Sequence, residues 1–331
     1  MPTVVINSPA IEAASCSATR MTLVGPRMPA FTRAVILGCG GFEANVQMRT
    51  QHIGPLVGGA KVRGTPHNQG DGLRMAMAIG AMPWGQWSGC HATPISADWG
   101  NFAPRELTDR SNRLSYPYGV MINRRGRRFV DEGEDGAMFT YAKYGRAILA
   151  EPGAKTYQIF DSQVVHLLEP RYATSEPITA DTLEDLVAQL DIDDQAQAIR
   201  TLHEYNAAAK HAADGFDPTK KDGLATSGLV LEKTNWATKL ENPPDYAYSA
   251  TGGITFTFGG QRVDENTQVT VPTGGRSAAS SPAGRWSAAS FTTITRPAPA
   301  SFPAPPSGAS PAAPRRSSIR PAAHDLRLDQ S

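Results

Sequence analysis

The chain has little of several features that mark specialised classes of protein. Its three cysteines, Cys16, Cys39 and Cys90, lie far apart in 331 residues and in no metal-ligand pattern, so we expect reduced thiols and no metal site. No apolar run reaches the roughly 20 residues that a membrane-spanning helix needs, and the first residues lack the basic segment and apolar core of a signal peptide. These absences predict a cytoplasmic protein without a membrane span.

An excess of charge of one sign is also missing. The chain has 32 Lys and Arg against 31 Asp and Glu, a formal net charge of +1. This balance gives no reason to expect nucleic acid or an anionic membrane as a partner. The composition, with 40 % hydrophobic and 19 % charged residues, is that of an ordinary soluble protein whose length allows one large core or two medium ones.

Glycine is scarce at the beginning of the chain, and apolar residues are scarce at its end. Gly25 is the only glycine before Gly38, which excludes a Gly-x-Gly-x-x-Gly phosphate turn in residues 1–33. After about Pro272 the chain is rich in Ser, Ala, Pro and Arg and has almost no apolar periodicity. This composition predicts that residues 273–331 are disordered.

The most informative stretch runs from Ala34 to His91. Its apolar start, Ala34 to Leu37, is closed by Gly38-Cys39-Gly40-Gly41, which predicts a buried strand ending where another group approaches the backbone closely. Gly70-Asp71-Gly72 then precedes Leu73 to Ala81, whose apolar residues recur at helical spacing. A strand, a glycine turn and a helix start are typical of an anion or ribose site. Tight-turn packing explains these glycines equally well.

The rest of the chain predicts further strands and helices. The predicted strands are Tyr118 to Asn123, Thr156 to Asp161 and Gly252 to Gly260, and the predicted helices are Asp181 to Leu190 and Asp193 to Ala213. From Trp87 onward, aromatic residues among Pro and Gly predict an irregular segment. The four arginines between 124 and 128 predict either a solvated hairpin or a group that binds carboxylates.

Several motifs occur in an order that is similar to a known family. They are AVILGCGGFE at 34–43, Gly70-Asp71-Gly72, Gly89-Cys90-His91 and NRRGRRFVDE at 123–132. Together they resemble the flavoprotein family of fumarate reductase, succinate dehydrogenase and L-aspartate oxidase, with the tricarballylate dehydrogenase group as the most similar. The resemblance covers about residues 34–269.

The resemblance implies an α/β fold in which a partial FAD-binding domain is interrupted by an α+β capping, or substrate, domain. The implied divisions are an atypical segment at 1–33 without the dinucleotide-binding βαβ unit, an FAD-domain part at 34–86, the capping domain at 87–250, return strands at 251–272 and the low-complexity tail at 273–331.

The family also implies a reaction and its residues. FAD is the expected cofactor, and hydride moves between flavin N5 and a substrate carbon next to a carboxylate, so the expected partner is a small di- or tricarboxylate. His91 and Thr255 are the implied substrate residues. Without the family, His91 reads more simply as a structural histidine bonded to backbone. The implied cofactor residues are Gly40, Gly41, Asp71, Gly72 and Phe256.

The sequence departs from this family at three places. Residues 133–141 contain no arginine where the family has a proton-shuttling one, and Thr255 stands where a histidine usually contacts substrate. The glycine-rich flavin turn expected after Pro272 is absent, which predicts a frameshift near Thr273. An alternative expectation is therefore a truncated, non-catalytic remnant of such an enzyme.

Overall fold

The computed structural model describes residues 4–7, 35–107, 109–265 and 268–272. The predicted disordered tail at 273–331 lies outside these ranges, as does Cys16. The strands are β1 (Val4–Asn7), β2 (Val35–Gly38), β3 (Lys61–Val62), β4 (Pro83–Ser96), β5 (Val120–Asn123), β6 (Lys155–Phe160), β7 (Ile178–Ala180) and β8 (Asp245–Gln261). The α-helices are α1 (Val46–His52), α2 (Pro55–Gly58), α3 (Asp71–Ala78), α4 (Ala137–Ala150), α5 (Ser162–Val165), α6 (Leu183–Ala188) and α7 (Gln195–Ala208).

The long strand β8 organises the larger sheet of the described residues. It pairs antiparallel with β4, β6 and β7 and parallel with β3, while β5 joins the sheet through β6. β1 and β2 form a separate parallel pair. The β3–β8 pairing joins Val62 to Ile254, so the sheet depends on contacts between distant parts of the sequence.

Helices cover both faces of this sheet. Val120 and Ile122 of β5 pack in a core cluster with α6 and α7, whereas Met121 between them packs with Tyr144 of α4. Alternate side chains of a strand point to opposite faces, so α4 lies on one face and the α6–α7 pair on the other. The strand is uncharged throughout because neither face meets water.

Local sequence signals explain most element boundaries. The Asp194 carboxylate accepts a hydrogen bond from the Gln197 amide at 2.8 Å and caps α7, as its position before an apolar-periodic run predicts. The strands predicted at 34–37, 118–123, 156–161 and 252–260 and the helices predicted at 73–81, 181–190 and 193–213 are confirmed with shifted ends. The expected combination of α and β structure is likewise confirmed.

The prediction of an irregular segment from Trp87 is wrong up to Ser96, whereas residues 97–104 form no helix and only an isolated bridge at Phe102. Residues up to Ser96 belong to β4, which pairs with β8 from Cys90 through Ser96. Gly85 and Gly89 are tolerated because the pairing shifts register between Gly85 and Cys90. Register shifts of this kind accommodate residues that a regular ladder would exclude.

The arginine cluster contributes to the core. Arg128 donates from Nε to Glu132 Oε1 at 3.1 Å, and both side chains are almost fully buried. The same oxygen accepts from the Met121 amide at 2.8 Å, which attaches the pair to β5. Lys233 is buried nearby and donates to the Gly119 carbonyl, and burial lowers the pKa of Lys233 to about 8. The predicted solvated hairpin is therefore wrong for Arg128, and the carboxylate that this arginine binds is that of Glu132 in the same chain.

Helix α4 lies unusually close to the sheet at Gly145. A Cβ atom added there would lie 2.7 Å from Thr93 Cα and 2.8 Å from the carbonyl carbon of Ala92. The helix is equally close to β8, because a Cβ added at Gly252 would meet the Gly145 carbonyl oxygen. These contacts hold the helix, and the side chain of Tyr141 one turn earlier, directly over β4 and β8.

Within the described ranges, no helix combines the length and apolar composition required to cross a bilayer. The predicted domain boundaries near 87 and 250 fall inside β4 and β8, which continue across them.

We expect Gly145→Ala to lower the free energy of unfolding by about 1–2 kcal/mol. Alanine improves helix propensity by about 1 kcal/mol, but the added methyl group would meet backbone atoms of β4 that cannot rotate away. Overpacking of this kind costs about 1–3 kcal/mol and should outweigh the gain. Urea unfolding followed by circular dichroism measures the difference.

The matched control is Gly100→Ala, since a Cβ at Gly100 meets nothing within 4 Å. Its unfolding free energy should stay within about 0.5 kcal/mol of the unmodified chain. Equal midpoints for the two variants would show that α4 does not contact the sheet through Gly145.

Candidate functional site

The site is built where β4 and β8 pair irregularly. His91 lies opposite Phe256, and the next pair joins Ala92 to Ile254, so β8 carries one additional residue, Thr255, between the two pairs. A bulge of this kind re-aims side chains and is frequent next to active sites.

His91 is held between two aromatic rings. Its ring stacks on Phe256 with centroids 4.7 Å apart, and its Nε2 lies 2.8 Å from the Tyr141 hydroxyl. Nδ1 is buried and has no hydrogen-bond partner among the described residues. Burial lowers the pKa of His91 to about 4, and the positive charge of Arg63 contributes in the same direction. The imidazole is therefore neutral at physiological pH.

Arg63 follows β3 and is half-buried beside this histidine. Its amide donates to the Ile254 carbonyl at 3.0 Å, and its Nη1 donates to Asn112 Oδ1 at 3.3 Å. Among the described residues, Arg63 has no carboxylate within ion-pair distance. Burial lowers the pKa of Arg63, although the charge of Asp109 acts against this; that carboxylate is itself paired with Arg171 at 2.8 Å.

Thr255 adds a second polar group without a hydrogen-bond partner among the described residues, after His91 Nδ1. Its Oγ1 is buried and makes no hydrogen bond within the described part of the chain. Its neighbours on β8 contribute to the same region, since the Ile254 carbonyl holds Arg63 and the Phe256 ring stacks on His91. Buried polar atoms are normally paired, so two unpaired ones on the paired strands of this bulge, His91 Nδ1 and Thr255 Oγ1, indicate a place where a ligand completes the bonding.

The glycine turn after β2 lies against the next residue of β8. Thr257 Oγ1 accepts from the Phe42 amide at 3.2 Å, and a Cβ on Gly41 would meet this threonine side chain. Gly40 has φ +68°, a left-handed conformation that favours glycine, and packs against Asn68. Within the described residues, the amides of Gly40 and Gly41 donate no hydrogen bond.

The start of α3 adjoins this turn. The Gly70 amide donates to the Gly41 carbonyl at 3.1 Å, and a Cβ on Gly72 would lie 2.8 Å from Cys39 Sγ. Asp71 is on the first turn of α3, where its 43 % exposed side chain pairs with Arg74. The glycines thus allow close helix packing, and Asp71 is available from solvent.

The predicted site residues fall into two adjoining groups. Gly40, Gly41 and Gly72 gather around Cys39 and Asn68, with Asp71 at their edge, whereas His91, Thr255 and Phe256 gather on the β4–β8 bulge. Thr257 connects the two groups.

Sequence reasoning missed Arg63, Tyr141 and Thr257. Arg63 stands outside every motif, and only its pairing with β8 brings it to His91. The sequence did offer a way to find Tyr141, because this residue ends the interval 133–141 that lacks the expected arginine. Thr257 could have been found from the Thr-Phe-Thr-Phe alternation, which puts Thr255 and Thr257 two residues apart.

No group of three His, Cys, Asp or Glu side chains in the described ranges could hold a metal ion. Cys39 and Cys90 are free thiols.

Comparison with known proteins identifies the family of the chain. The family described as "FAD binding domain" matches residues 13–279. The fumarate reductase (cytochrome) of Shewanella frigidimarina is 29 % identical over 240 residues, covering 71 % of this chain and 37 % of that protein. The 3-oxosteroid 1-dehydrogenase of Mycobacterium tuberculosis is 26 % identical over 265 residues, covering 73 % and 45 %. The chain therefore spans less than half the length of these curated relatives.

Solved structures share the fold. An open conformation of a flavocytochrome c3 fumarate reductase aligns with a TM-score of 0.55 at 24 % identity, covering 77 % of this chain and 40 % of that one. A 3-ketosteroid delta1-dehydrogenase from Sterolibacterium denitrificans aligns with a TM-score of 0.51 at 23 % identity, covering 77 % and 47 %. The family match includes both the glycine turn and the β4–β8 bulge, and the chain accordingly belongs to the FAD binding domain family of flavoproteins.

Proposed function

We propose that this chain carries the substrate side and part of the cofactor side of an FAD-dependent oxidoreductase that acts on a small di- or tricarboxylate, of the fumarate or tricarballylate type. The observation that carries the proposal is the half-buried Arg63 guanidinium, which has no carboxylate partner in the described residues and lies beside a neutral histidine.

The polar groups of the site favour an anionic substrate. Arg63 offers a planar fork of N–H donors that matches a carboxylate with two hydrogen bonds. Thr255 Oγ1 and His91 Nδ1 are buried and lack partners among the described residues. A substrate carboxylate would neutralise the arginine and supply oxygen acceptors to the other two.

The residues of the glycine turn fit part of an FAD site. The backbone amides of Gly40 and Gly41 donate no hydrogen bond within the described residues. Consecutive amides beside a residue in the left-handed conformation, such as Gly40, form a concavity suited to anions. Asp71, at the start of α3, is accessible to ribose hydroxyls. We assign Gly40, Gly41, Asp71, Gly72 and Phe256 to the cofactor side. When bound, FAD would accept or supply the hydride.

In this proposal the chain's own residues bind and orient the substrate. Arg63, His91 and Thr255 hold its carboxylate, and the Phe256 ring supports the imidazole from one side. Fixing the substrate in this way replaces a bimolecular encounter by a preset orientation. We further propose that residues 87–250 form the capping domain and that 34–86 and 251–272 belong to the FAD domain.

The names of three relatives indicate two classes of substrate, carboxylates and neutral ketones, and the proposal favours one of them. Fumarate and acrylate, in the names of the Shewanella reductase and of the NADH:acrylate oxidoreductase of Vibrio harveyi, are carboxylates. The 3-oxosteroids named for the mycobacterial relative are neutral ketones. A neutral ketone would leave the charge of Arg63 uncompensated in a half-buried place, which is costly. This difference favours the carboxylate class.

Flavin absorbance tests the proposal on the purified full chain. Bound FAD should give a band near ~450 nm, and fumarate or tricarballylate should perturb it whereas a neutral 3-oxosteroid should not. A chain that is colourless after incubation with FAD and removal of the free flavin would contradict the cofactor assignment. A flavin band that responds to the steroid and to neither acid would contradict the substrate class.

Replacement of Arg63 by Gln should weaken carboxylate binding about 10- to 100-fold, since a hydrogen bond to a charged group contributes about 1.5–3 kcal/mol. Titration of the flavin spectrum with fumarate gives the dissociation constant. Arg63→Lys should recover only part of the affinity because lysine lacks the planar fork. The control Arg200→Gln changes an arginine whose contact is with Gln197 on α7 and should bind normally. Equal affinities for Arg63→Gln and the control would contradict the role of Arg63.

The neutral state of His91 predicts a pH dependence of stability. Its pKa is about 4 in the folded chain, against 6.5 ordinarily, so the unfolded chain binds more protons between these values. Stability should therefore fall as pH decreases from 6.5 to 4, and His91→Gln should remove that part of the decrease. Urea unfolding at a series of pH values measures it. His203→Gln, at an exposed histidine paired with Glu184, is the control. A pH profile unchanged in His91→Gln would show that the imidazole is not buried.

A further inference from the structure

The hydroxyl of Tyr141 approaches His91 from helix α4. The two rings are 5.0 Å apart, and the hydroxyl oxygen lies 2.8 Å from Nε2. The helix that carries Tyr141 is fixed over the sheet by the Gly145 contact. This tyrosine has no other hydrogen bond in the described residues, so its contact with His91 requires an explanation.

Two arrangements of protons are possible in this pair. If Tyr141 donates to Nε2, the phenol is satisfied and the ring carries its proton on Nδ1, which leaves one buried group without a partner, the Nδ1–H. If His91 donates from Nε2, the ring is left with an unpaired Nδ1 acceptor and the phenol with an unpaired O–H. An unsatisfied buried polar group costs about 1–3 kcal/mol. The buried Nδ1 lacks a partner in both arrangements, but only the first gives the phenol O–H an acceptor among the described residues, and it is therefore favoured.

The surroundings of the ring support the same arrangement. Phe256 covers one face, and the charged group that acts on His91 is the Arg63 guanidinium, which disfavours the imidazolium. With the ring neutral, the hydrogen bond at one nitrogen decides which nitrogen carries the proton. Arg63, the Thr255 hydroxyl and an Nδ1–H would then all be donors, a set that fits the oxygens of one carboxylate.

We propose that Tyr141 is a positioning residue that donates to Nε2 and fixes His91 as the Nδ1–H tautomer, so that this N–H is presented to a carboxylate oxygen of the substrate. The inference rests on the proposed function for the identity of the ligand, but the tautomer is a property of the ligand-free chain. Under this proposal the interval 133–141, which lacks an arginine, contributes Tyr141 to the site.

Nitrogen NMR of the full chain labelled with ¹⁵N-histidine tests the tautomer without ligand or cofactor. At pH 7 the signal of His91, identified by its loss in His91→Gln, should show an unprotonated Nε2 and a protonated Nδ1. Tyr141→Phe keeps the ring and removes only the donor, and it should shift the equilibrium toward Nε2–H. The control Tyr118→Phe removes a hydroxyl that donates to the Pro218 carbonyl and should leave the signal unchanged.

A protonated Nε2 in the unmodified chain would overturn the proposal, as would an identical tautomer in Tyr141→Phe. Fumarate titration separates this inference from the proposed function. Tyr141→Phe should weaken fumarate binding about 3- to 10-fold, the effect of one neutral hydrogen bond. A confirmed tautomer in a chain that binds no carboxylate would contradict the proposed function and the presentation of Nδ1–H to substrate, and would leave intact only the assignment of the tautomer to Tyr141.

Discussion

The pairing of β8 with the other strands is the constraint on which the site depends. Four consecutive residues of this strand each hold a different part of it. The Ile254 carbonyl accepts from Arg63, Thr255 forms the bulge, Phe256 stacks on His91 and Thr257 accepts from the Phe42 amide. A shift of one residue in register would turn these side chains to the opposite face. The bulge and the glycine turn are therefore set by a single alignment.

The polarity around the β4–β8 bulge is one-sided. Arg63 and the Thr255 hydroxyl can both donate, and the amide oxygen of Asn112 is already engaged by Arg63. Around the bulge, the described residues thus offer hydrogen-bond donors without offering acceptors for them. A ligand that brings oxygen acceptors and negative charge is the complement of such a set, whereas a ligand with its own donors would leave unpaired groups on both sides.

Local structure could be predicted from the sequence much better than the site could. The cap at Asp194 and the apolar run of β2 are properties of neighbouring residues, and both are confirmed. The strand that contains Trp87 was not predictable because its glycines and prolines indicate a loop until β8 is present to pair with it. Arg63 joins the site through a bond to Ile254. No local pattern encodes a contact across that sequence distance, so motifs could indicate His91 but not its neighbours.

The place of β8 in the chain also has a consequence for synthesis. β3, β4, β6 and β7 leave the ribosome before β8, yet their four pairings with it wait for residues 245–261. Until then β4 has no partner strand and its open edge, with apolar residues such as Ala92 and Ile95, is exposed to other chains. Strand pairing between distant segments is slow, and intermediates with unpaired edges aggregate. The unpaired edge is therefore prone to aggregation during the interval before the seventeen-residue strand arrives.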